Sequence, residues 1–490
     1  MLGLARALSS IVTYPSTRHF YSSIQKISLV QDRVLFRVVT DLSTTWYGKQ
    51  HLVHSSDSYE CFKTKIPLVD YSDIQNCIEW QKTTGESILT SKSILSWETT
   101  SGSSGASKSI PYTRSLKKAF NSLALLWIQD LLSRGPRFET GRIYISISPR
   151  VGDGVTESSF RKDTDYLSPM SRFILSPFLV DLSRIQTITD PDVFFSELTR
   201  FLANESNLEI ISIWHPSFLH SILRLLELFS EQEINEIWPK LKFISCWTSG
   251  TSSPFVQAIQ KKIPNVIIQG KGLISTEAPV TFPSILAKGF LPLYTHIFME
   301  FENTNGLVFR LHELELGYRY KVIISNTSGL YRYRTHDEVM VTHFYNEMPC
   351  FEFICRDGLC TDMVGEKLTE AFVFECFNQL NIQAYSIAIP CKWSDYKLGY
   401  LVLLDVNEYS PSSHMEQKIE CQLLKSYGYR KARSLKQLES VQVKSCPGLV
   451  QKIQNYYNKS GIRLGDLKCP LIFNRPLKPE EVQQIFEIWT

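Results

Sequence analysis

The sequence has eleven cysteines, Cys61 to Cys469, yet no Cys-x-x-Cys spacing, which removes the zinc-ribbon and thioredoxin-like readings. Scattered in this way, they read as reduced, mostly buried thiols of a cytosolic protein. No apolar run reaches the roughly 18 to 20 residues of a membrane span. Charge of neither sign dominates: 52 basic residues stand against 49 acidic ones, a net charge of +3, and that leaves no electrostatic footprint for nucleic acid. There is no internal repeat. There is no Walker A loop either, because Ser107 precedes Lys108 where that motif needs glycine. Met1 to Val30 contains Arg6, Arg18 and Lys26 but no Asp or Glu. That is compatible with a transit peptide. We read it instead as a helix, Leu2 to Val12, ended by Pro15, because the text beyond reads as continuous folded protein. What remains is a cytoplasmic protein, monomeric by default, whose partners are small molecules, with no nucleic acid and no membrane among them.

What is present is core material and alternation. At 490 residues, 43% hydrophobic and 21% charged, the chain has ordinary globular composition and length for two or three domains. Ile24 to Leu42 reads as helical, Thr44 to Gly48 as a loop, Ile66 to Leu68 as extended and Ile74 to Trp80 as a helix. A helical apolar pattern runs from Leu116 to Ser133. Then short strands alternate with helices: Arg142 to Ser148, a loop over Arg150 to Met170, a helix Phe194 to Asn204, a strand Leu208 to Ile213, a helix Ser217 to Glu227, a strand Leu241 to Cys246, a helix Pro254 to Lys262 and a strand Val266 to Gln269. That order predicts a parallel sheet, whose ligands bind at the strands' carboxyl ends. From Leu291 the runs become short and β-like, which predicts an antiparallel subdomain. After a turn at Asp357-Gly358 come a helix from Thr369, strands Gln383 to Ile389 and Gly399 to Leu404, and a helix Ser413 to Lys425. The fold class is α/β: a large N-terminal domain, 1–355, and a small C-terminal α+β domain, 356–490.

Four stretches carry chemistry. Thr99 to Pro111, TTSGSSGASKSIP, offers hydroxyls, backbone N–H groups and the ammonium of Lys108 to a phosphate, with Gly102 and Gly105 allowing close approach. By itself such a stretch is more often a flexible loop. Gly270 to Pro279, GKGLISTEAP, puts Thr276 and Glu277 in a loop after a strand, where a carboxylate can hold Mg²⁺. Gly329 to Val339, GLYRYRTHDEV, holds Asp337, able to accept from two ribose hydroxyls, and Arg332 and Arg334, able to meet carboxylate or phosphate; otherwise it is an edge strand with solvated arginines. Phe353 to Glu370 holds Arg356 and then GEKLTE, where Thr369 caps a helix.

In this order, these stretches resemble the adenylate-forming superfamily of acyl-CoA synthetases, peptide-synthetase adenylation domains and firefly luciferase. TTWYGKQH, IPLVDYSDIQNCIEW, TSGSSGASKSIPYT, CWTSG, GLISTEAPVTFP, GLYRYR-x-x-D, VGEKLTE, YGYRKARSLKQL and GIRLGDLKCP further resemble the auxin-responsive Gretchen Hagen family of acyl acid amido synthetases. The resemblance runs from about Asp41 to Leu471. It implies ATP and Mg²⁺, an acyl-adenylate, and transfer of the acyl group to an amino acid's amine. It implies a phosphate loop of Ser101, Gly102, Ser103, Ser104, Gly105 and Lys108, with Thr276 and Glu277 at the α-phosphate and metal. Asp337 and Arg356 would hold the ribose, and Lys468 would be the lysine of a small domain that rotates over the site. For the acyl group, Leu123, Trp127 and Phe282 are the candidate lining.

The sequence departs from the family pattern at three places. Ser103-Ser104 replaces threonines, His336 replaces the glycine usual before the ribose aspartate, and Leu471 stands where arginine is frequent. Two other functions therefore compete with the amino acid ligase. One is an acyl-CoA ligase, for which Lys425 to Lys444 is the only local basic stretch, and that stretch also reads as a solvated face. The other is a silent protein that keeps the fold and binds acid or nucleotide.

Overall fold

The computed structural model of the protein describes residues 17–99, 108–146, 175–188, 190–356, 360–394, 397–407, 414–459, 469–473 and 475–488. The Leu2 to Val12 helix, Ser101 to Gly105, the Arg150 to Met170 loop, the Asp357-Gly358 turn and Lys468 lie outside these residues.

Ile27–Leu42 forms α1, whose Val34, Leu35, Val38 and Val39 repeat at helical spacing and are buried. The TTWYG stretch is not a loop. Thr45 accepts from the Gly48 amide and starts the short helix α2, Trp46–Gln50, so the threonine pair that reads as loop signal is an N-cap. α3 is Tyr59–Lys65. α4, Tyr71–Thr84, is held by an Asp70/Asp73 capping box and ends at Gly85, at φ 73°.

The Ser/Gly stretch connects an antiparallel pair of strands, β1 (Ile94–Thr99) and β2 (Ser109–Thr113), in which Thr99 faces Ser109. A strand therefore stands between the loop and its helix α5, Arg114–Arg134, where the sequence pattern shows none. Pro111 and the shortness of Ile110 to Tyr112 hide it. Thr113 ends the strand and caps the helix through its hydroxyl.

The alternating segment builds a parallel sheet in the order β3 (Arg142–Ile145), β4 (Leu208–Ser212), β5 (Phe243–Cys246), β6 (Ile267–Gly270). Helices α6 (Pro191–Ala203), α7 (Pro216–Phe229) and α8 (Ser253–Lys262) accompany it. All of β4 is buried, as a sheet covered on both faces requires.

Next comes a seven-stranded sheet: β7 (Thr281–Ser284), β8 (Gly289–Pro292), β9 (Phe298–Glu302), β10 (Val308–Arg310), β11 (Arg319–Ser325), β12 (Tyr333–Tyr345) and β13 (Met348–Arg356). Every pairing in it is antiparallel, in the order β10-β9-β11-β12-β13-β8-β7. Helices α1 to α4 and this sheet share one core, with Val38, Val39, Phe62, Ile78, Phe298 and Phe301 at its centre.

β12 is interior to the sheet, so its arginines are not solvated edge residues. Arg332 sits at φ 47° just before the strand. Its guanidinium pairs with buried Glu300 at 3.0 Å and donates to the carbonyls of Lys63 and Ile66, both at 2.9 Å. Arg334 lies 3.3 Å from Glu302. Neither arginine is offered to a ligand's carboxylate or phosphate; Arg332 ties α3 to the sheet.

The remaining residues have their own core, 368–486, built on β16 (Ser386–Ser394), β17 (Lys397–Leu404) and β18 (Gln442–Ser445), after two short strands β14 (Cys360–Thr361) and β15 (Leu368–Thr369). α9, Glu370–Gln379, is capped by Thr369 as the sequence predicts. One residue from elsewhere belongs to this core: Phe255 of α8, whose ring lies 5.1 Å from that of Tyr385.

Removing a buried charge's partner is the costly way to break such a pair. Arg332→Ala is therefore expected to destabilise the fold by about 3–5 kcal/mol, read by urea denaturation. The double variant Arg332→Met, Glu300→Gln should recover part of it. A single variant as stable as the parent would overturn the structural role.

Candidate active site

The carboxyl ends of the parallel strands, the antiparallel sheet and the start of α9 enclose one cavity of about 110 Å³. Lining it are Thr248, Ser249 and Lys271 from the strand-end loops, Asp337, Phe353 and Arg356 from β12 and β13, and Glu370 and Phe374 from α9.

Asp337 reaches the cavity through an irregularity. Lys321 pairs with Glu338 but Ile323 with Arg334, so three β12 residues, Thr335 to Asp337, lie opposite Val322 alone. His336, in the middle, has φ 63°. This explains the departure from glycine there: the position needs a left-handed backbone, which His adopts more readily than most side chains. The imidazole is held too, its Nε2 lying 2.9 Å from Asp70 Oδ1. Asp337 then faces Arg356 across the β12–β13 ladder, their charged atoms 3.9 Å apart. The carboxylate beside it holds the Arg356 guanidinium above its ordinary range.

Glu277 sits in a turn closed by the Ile274–Pro279 bridge and by Ser275 N donating to Ala278 O at 3.1 Å. It is 3% exposed, and its Oε1 has no hydrogen-bond partner among the described residues. Leaving a buried carboxylate oxygen unmatched costs of order 1–3 kcal/mol or more. Thr276 beside it is half-buried.

Lys108 lies where β2 begins. Its Nζ is 3.3 Å from the Tyr333 hydroxyl and stands over the rings of Tyr71 and Tyr333, at 5.6 and 5.9 Å. Burial pushes the ammonium's pKa below its ordinary value; Glu277 opposes that most strongly, and Arg356 reinforces it. Burial, and next Glu277, push the Tyr333 phenol well up. Lys108, Glu277, Asp337 and Arg356, far apart in sequence, thus act on one another.

Lys468 lies outside the described residues. Cys469, next to it, lines the cavity, and burial pushes its thiol up to about 12. Pro470 O accepts from the Tyr385 hydroxyl at 2.6 Å, and Leu471 N donates to Glu370 Oε1 at 2.8 Å. The Leu471 side chain is part of the C-terminal core, so it fills space rather than standing in for an arginine. In the Lys425 to Lys444 stretch, Lys425 donates to Gln379 at 2.7 Å and Arg433 to Glu420 at 2.6 Å.

The acyl candidates separate. Phe282 is wholly buried in the N-terminal core against Phe20, and Leu123 belongs to the same core; both are packing residues and neither lines the cavity. Trp127 donates from Nε1 to Gln269 Oε1 at 2.8 Å, at the end of β6. Sequence reasoning missed Tyr333, Trp247, Phe353, Phe374 and Lys271. Only Lys271 carried a usable signal, as a lysine directly after a predicted buried strand.

The family model described as GH3 family N-terminal domain matches residues 16–237 and 203–268, more than half of the chain, and the GH3 family central domain matches 290–356. The chain belongs to the GH3 family. Among curated GH3 relatives, the 4-substituted benzoates-glutamate ligase GH3.12 of Arabidopsis thaliana is 23% identical, over 78% of this chain and 79% of its own. The indole-3-acetic acid-amido synthetase GH3.5 of the same plant is 22% identical, over 90% and 88%. The solved AtGH3.15 acyl acid amido synthetase in complex with 2,4-DB superposes with TM-score 0.78 at 18% identity, over 96% of both chains. A 2-hydroxyisobutyryl-CoA ligase in the postadenylation state superposes with TM-score 0.58 at 13% identity, over 94% of this chain and 91% of that one. The fold is therefore that of the adenylate-forming enzymes.

The unmatched Glu277 oxygen fits a Mg²⁺ that takes one carboxylate and completes its shell from phosphates and water. No cluster of three His, Cys, Asp or Glu side chains occurs among the described residues, and such an ion needs none. Glu277 is the carboxylate that favours the Lys108 ammonium most. Glu277→Gln is thus expected to lower the Lys108 pKa further, read by NMR of the ¹³C-methylated lysine. An unchanged or raised value would separate the two groups.

Proposed function

We propose that this GH3 chain is an ATP-dependent ligase that activates a carboxylic acid as its acyl-adenylate and passes the acyl group to the amine of an amino acid. The observation that carries this reading is that Asp337 and Arg356 line the cavity while Lys108 and Glu277 interact electrostatically with them. A carboxylate is a poor electrophile until one of its oxygens belongs to a good leaving group. In the first step that oxygen forms a bond to the α-phosphorus of ATP, and the bond to the β-phosphate oxygen breaks, releasing pyrophosphate. In the second the amine nitrogen bonds the acyl carbon, loses a proton, and AMP leaves.

Asp337, beside the Arg356 guanidinium, accepts from the ribose hydroxyls. Lys108, at the end of the loop holding Ser101, Gly102, Ser103, Ser104 and Gly105, meets phosphate oxygens, as does the Thr276 hydroxyl. Glu277 is the carboxylate that would hold Mg²⁺. When bound, the ion stabilises charge developing on the phosphoryl oxygens. Residues 1–355 form the large domain and 356–490 a small one. The seating of Cys469 and Pro470 at the cavity supports a conformation in which Lys468 serves adenylation, and rotation of the small domain readies the second step.

Two predictions test this. ATP–pyrophosphate exchange across aryl, indolyl and aliphatic acids should be detectable for some acid, and mass spectrometry with amino acids should find an amide rather than a thioester. A carboxylate accepting two hydroxyl hydrogen bonds contributes on the order of 1.5–3 kcal/mol in all, so Asp337→Ala should raise the KM for ATP by roughly ten- to a hundredfold. Unchanged ATP dependence would remove the ribose assignment. Second, Glu277→Gln and Lys468→Ala should each slow exchange by about 10²- to 10³-fold. Lys468→Ala alone should leave amide formation from supplied acyl-adenylate nearly intact. Equal loss of both half-reactions in Lys468→Ala would sink the domain alternation.

A further inference from the structure

The left-handed backbone at His336, φ 63°, admits an imidazole but does not call for one, because glycine enters that region at no steric cost. The side chain has a contact of its own: Nε2 lies 2.9 Å from Asp70 Oδ1. That oxygen takes no hydrogen bond among the described residues, so what the imidazole offers it is charge. Asp70 is the N-cap of α4, and its neighbours in the chain bring it to Lys108. Val69, before it, bridges to Tyr333, and its carbonyl accepts from Arg334 N at 3.0 Å. Tyr71, after it, carries the Lys108 ammonium over its ring at 5.6 Å, and its hydroxyl accepts from Ser109 N at 2.8 Å. Lys108 Nζ in turn lies 3.3 Å from the Tyr333 hydroxyl. Asp70 therefore acts on Lys108, together with Glu277 and Asp337.

We infer that His336 is a positioning residue for ATP: it supplies the positive charge that holds the Asp70 carboxylate and keeps it from opposing the phosphates. This rests on the ligase reading, which brings those phosphates to Lys108. Two of the carboxylates that act on Lys108 have tasks of their own there, Glu277 toward Mg²⁺ and Asp337 toward the ribose. Asp70 has none toward the nucleotide. Left unneutralised, it would repel an incoming triphosphate and draw the ammonium toward itself. With the imidazolium against it, the two together present little net charge to the phosphates. The side chains of His336 and Asp70 are 33% and 40% exposed, so dissolved salt screens this effect.

Isothermal titration calorimetry of the full chain with MgATP tests this in three variants. His336→Asn and His336→Gly both suit a left-handed backbone and carry no charge. Asp70→Asn keeps an equally good N-cap. Each His336 variant should bind MgATP about tenfold more weakly at low ionic strength, and the loss should shrink at about 0.5 M salt, which a purely structural role would not do. Asp70→Asn should bind at least as tightly as the parent. Added to His336→Asn it should restore the parent's affinity, the non-additivity of residues that act on one another. Parent-like affinity in both His336 variants would overturn the inference. So would a loss in Asp70→Asn equal to that in His336→Asn, which would make the contact a mere tie, and so would a parent that binds no MgATP. ATP–pyrophosphate exchange run alongside keeps the two readings apart. Exchange with unaltered affinities would retire this inference and leave the ligase. The expected affinities without exchange for any acid would do the reverse.

Discussion

The site depends on one backbone irregularity. A regular strand alternates its side chains between two faces, and β12 would carry Asp337 wherever that alternation took it. Setting Thr335 to Asp337 against the single residue Val322 breaks the alternation. The Thr335 hydroxyl stitches the break closed by donating to Val322 O at 3.0 Å. Asp337 is thereby 3% exposed yet borders the cavity, and it meets Arg356 from the next strand. The residue that absorbs the conformational cost, His336, is in turn steadied by the Asp70 carboxylate at the start of α4. Helical layer and sheet are thus joined at the point where the sheet is least regular.

Around that point the charges limit one another. Lys108 and Arg356 each lose stability as cations by leaving water; Glu277 and Asp337 return part of it to Lys108 and more than all of it to Arg356. Such a cluster is balanced only while all its members are present. It also presents, in one place, a cation for phosphate oxygens and a carboxylate oxygen that nothing among the described residues satisfies. Preorganised groups of this kind favour charge that develops during a reaction, because they need not reorganise to meet it.

The parallel sheet was legible in the sequence because each of its strands is a short apolar run between helices, and its register needs nothing from afar. The order of the chemical stretches was legible as well, and it carried the family. What the sequence could not give depends on long-range pairing. Arg332 reads as a ligand-facing arginine until β9 brings Glu300 against it. Phe282 reads as a pocket residue until Phe20, from the start of the chain, covers it. Thr45 and Thr113 read as loop and helix text because a cap is a single hydroxyl with no periodicity to reveal it. The pairing of Asp337 with Arg356 is a matter of strand register, which a bulge shifts without changing any hydrophobic pattern.

Phe255 belongs by sequence to a helix of the parallel layer and by contact to the C-terminal core, wedged between Tyr385 and the imidazoles of His215 and His220, whose rings lie 5.4 and 5.7 Å from its own. Any swing of the C-terminal residues away from the cavity must draw this ring out into water. Exposing a buried phenyl group costs about 1.5–3 kcal/mol, so by itself it biases the docked arrangement over the open one by roughly ten- to a hundredfold. The ring is a tie between the parallel layer and the C-terminal core, and a smaller side chain there would loosen that tie without touching Lys108, Glu277, Asp337 or Arg356.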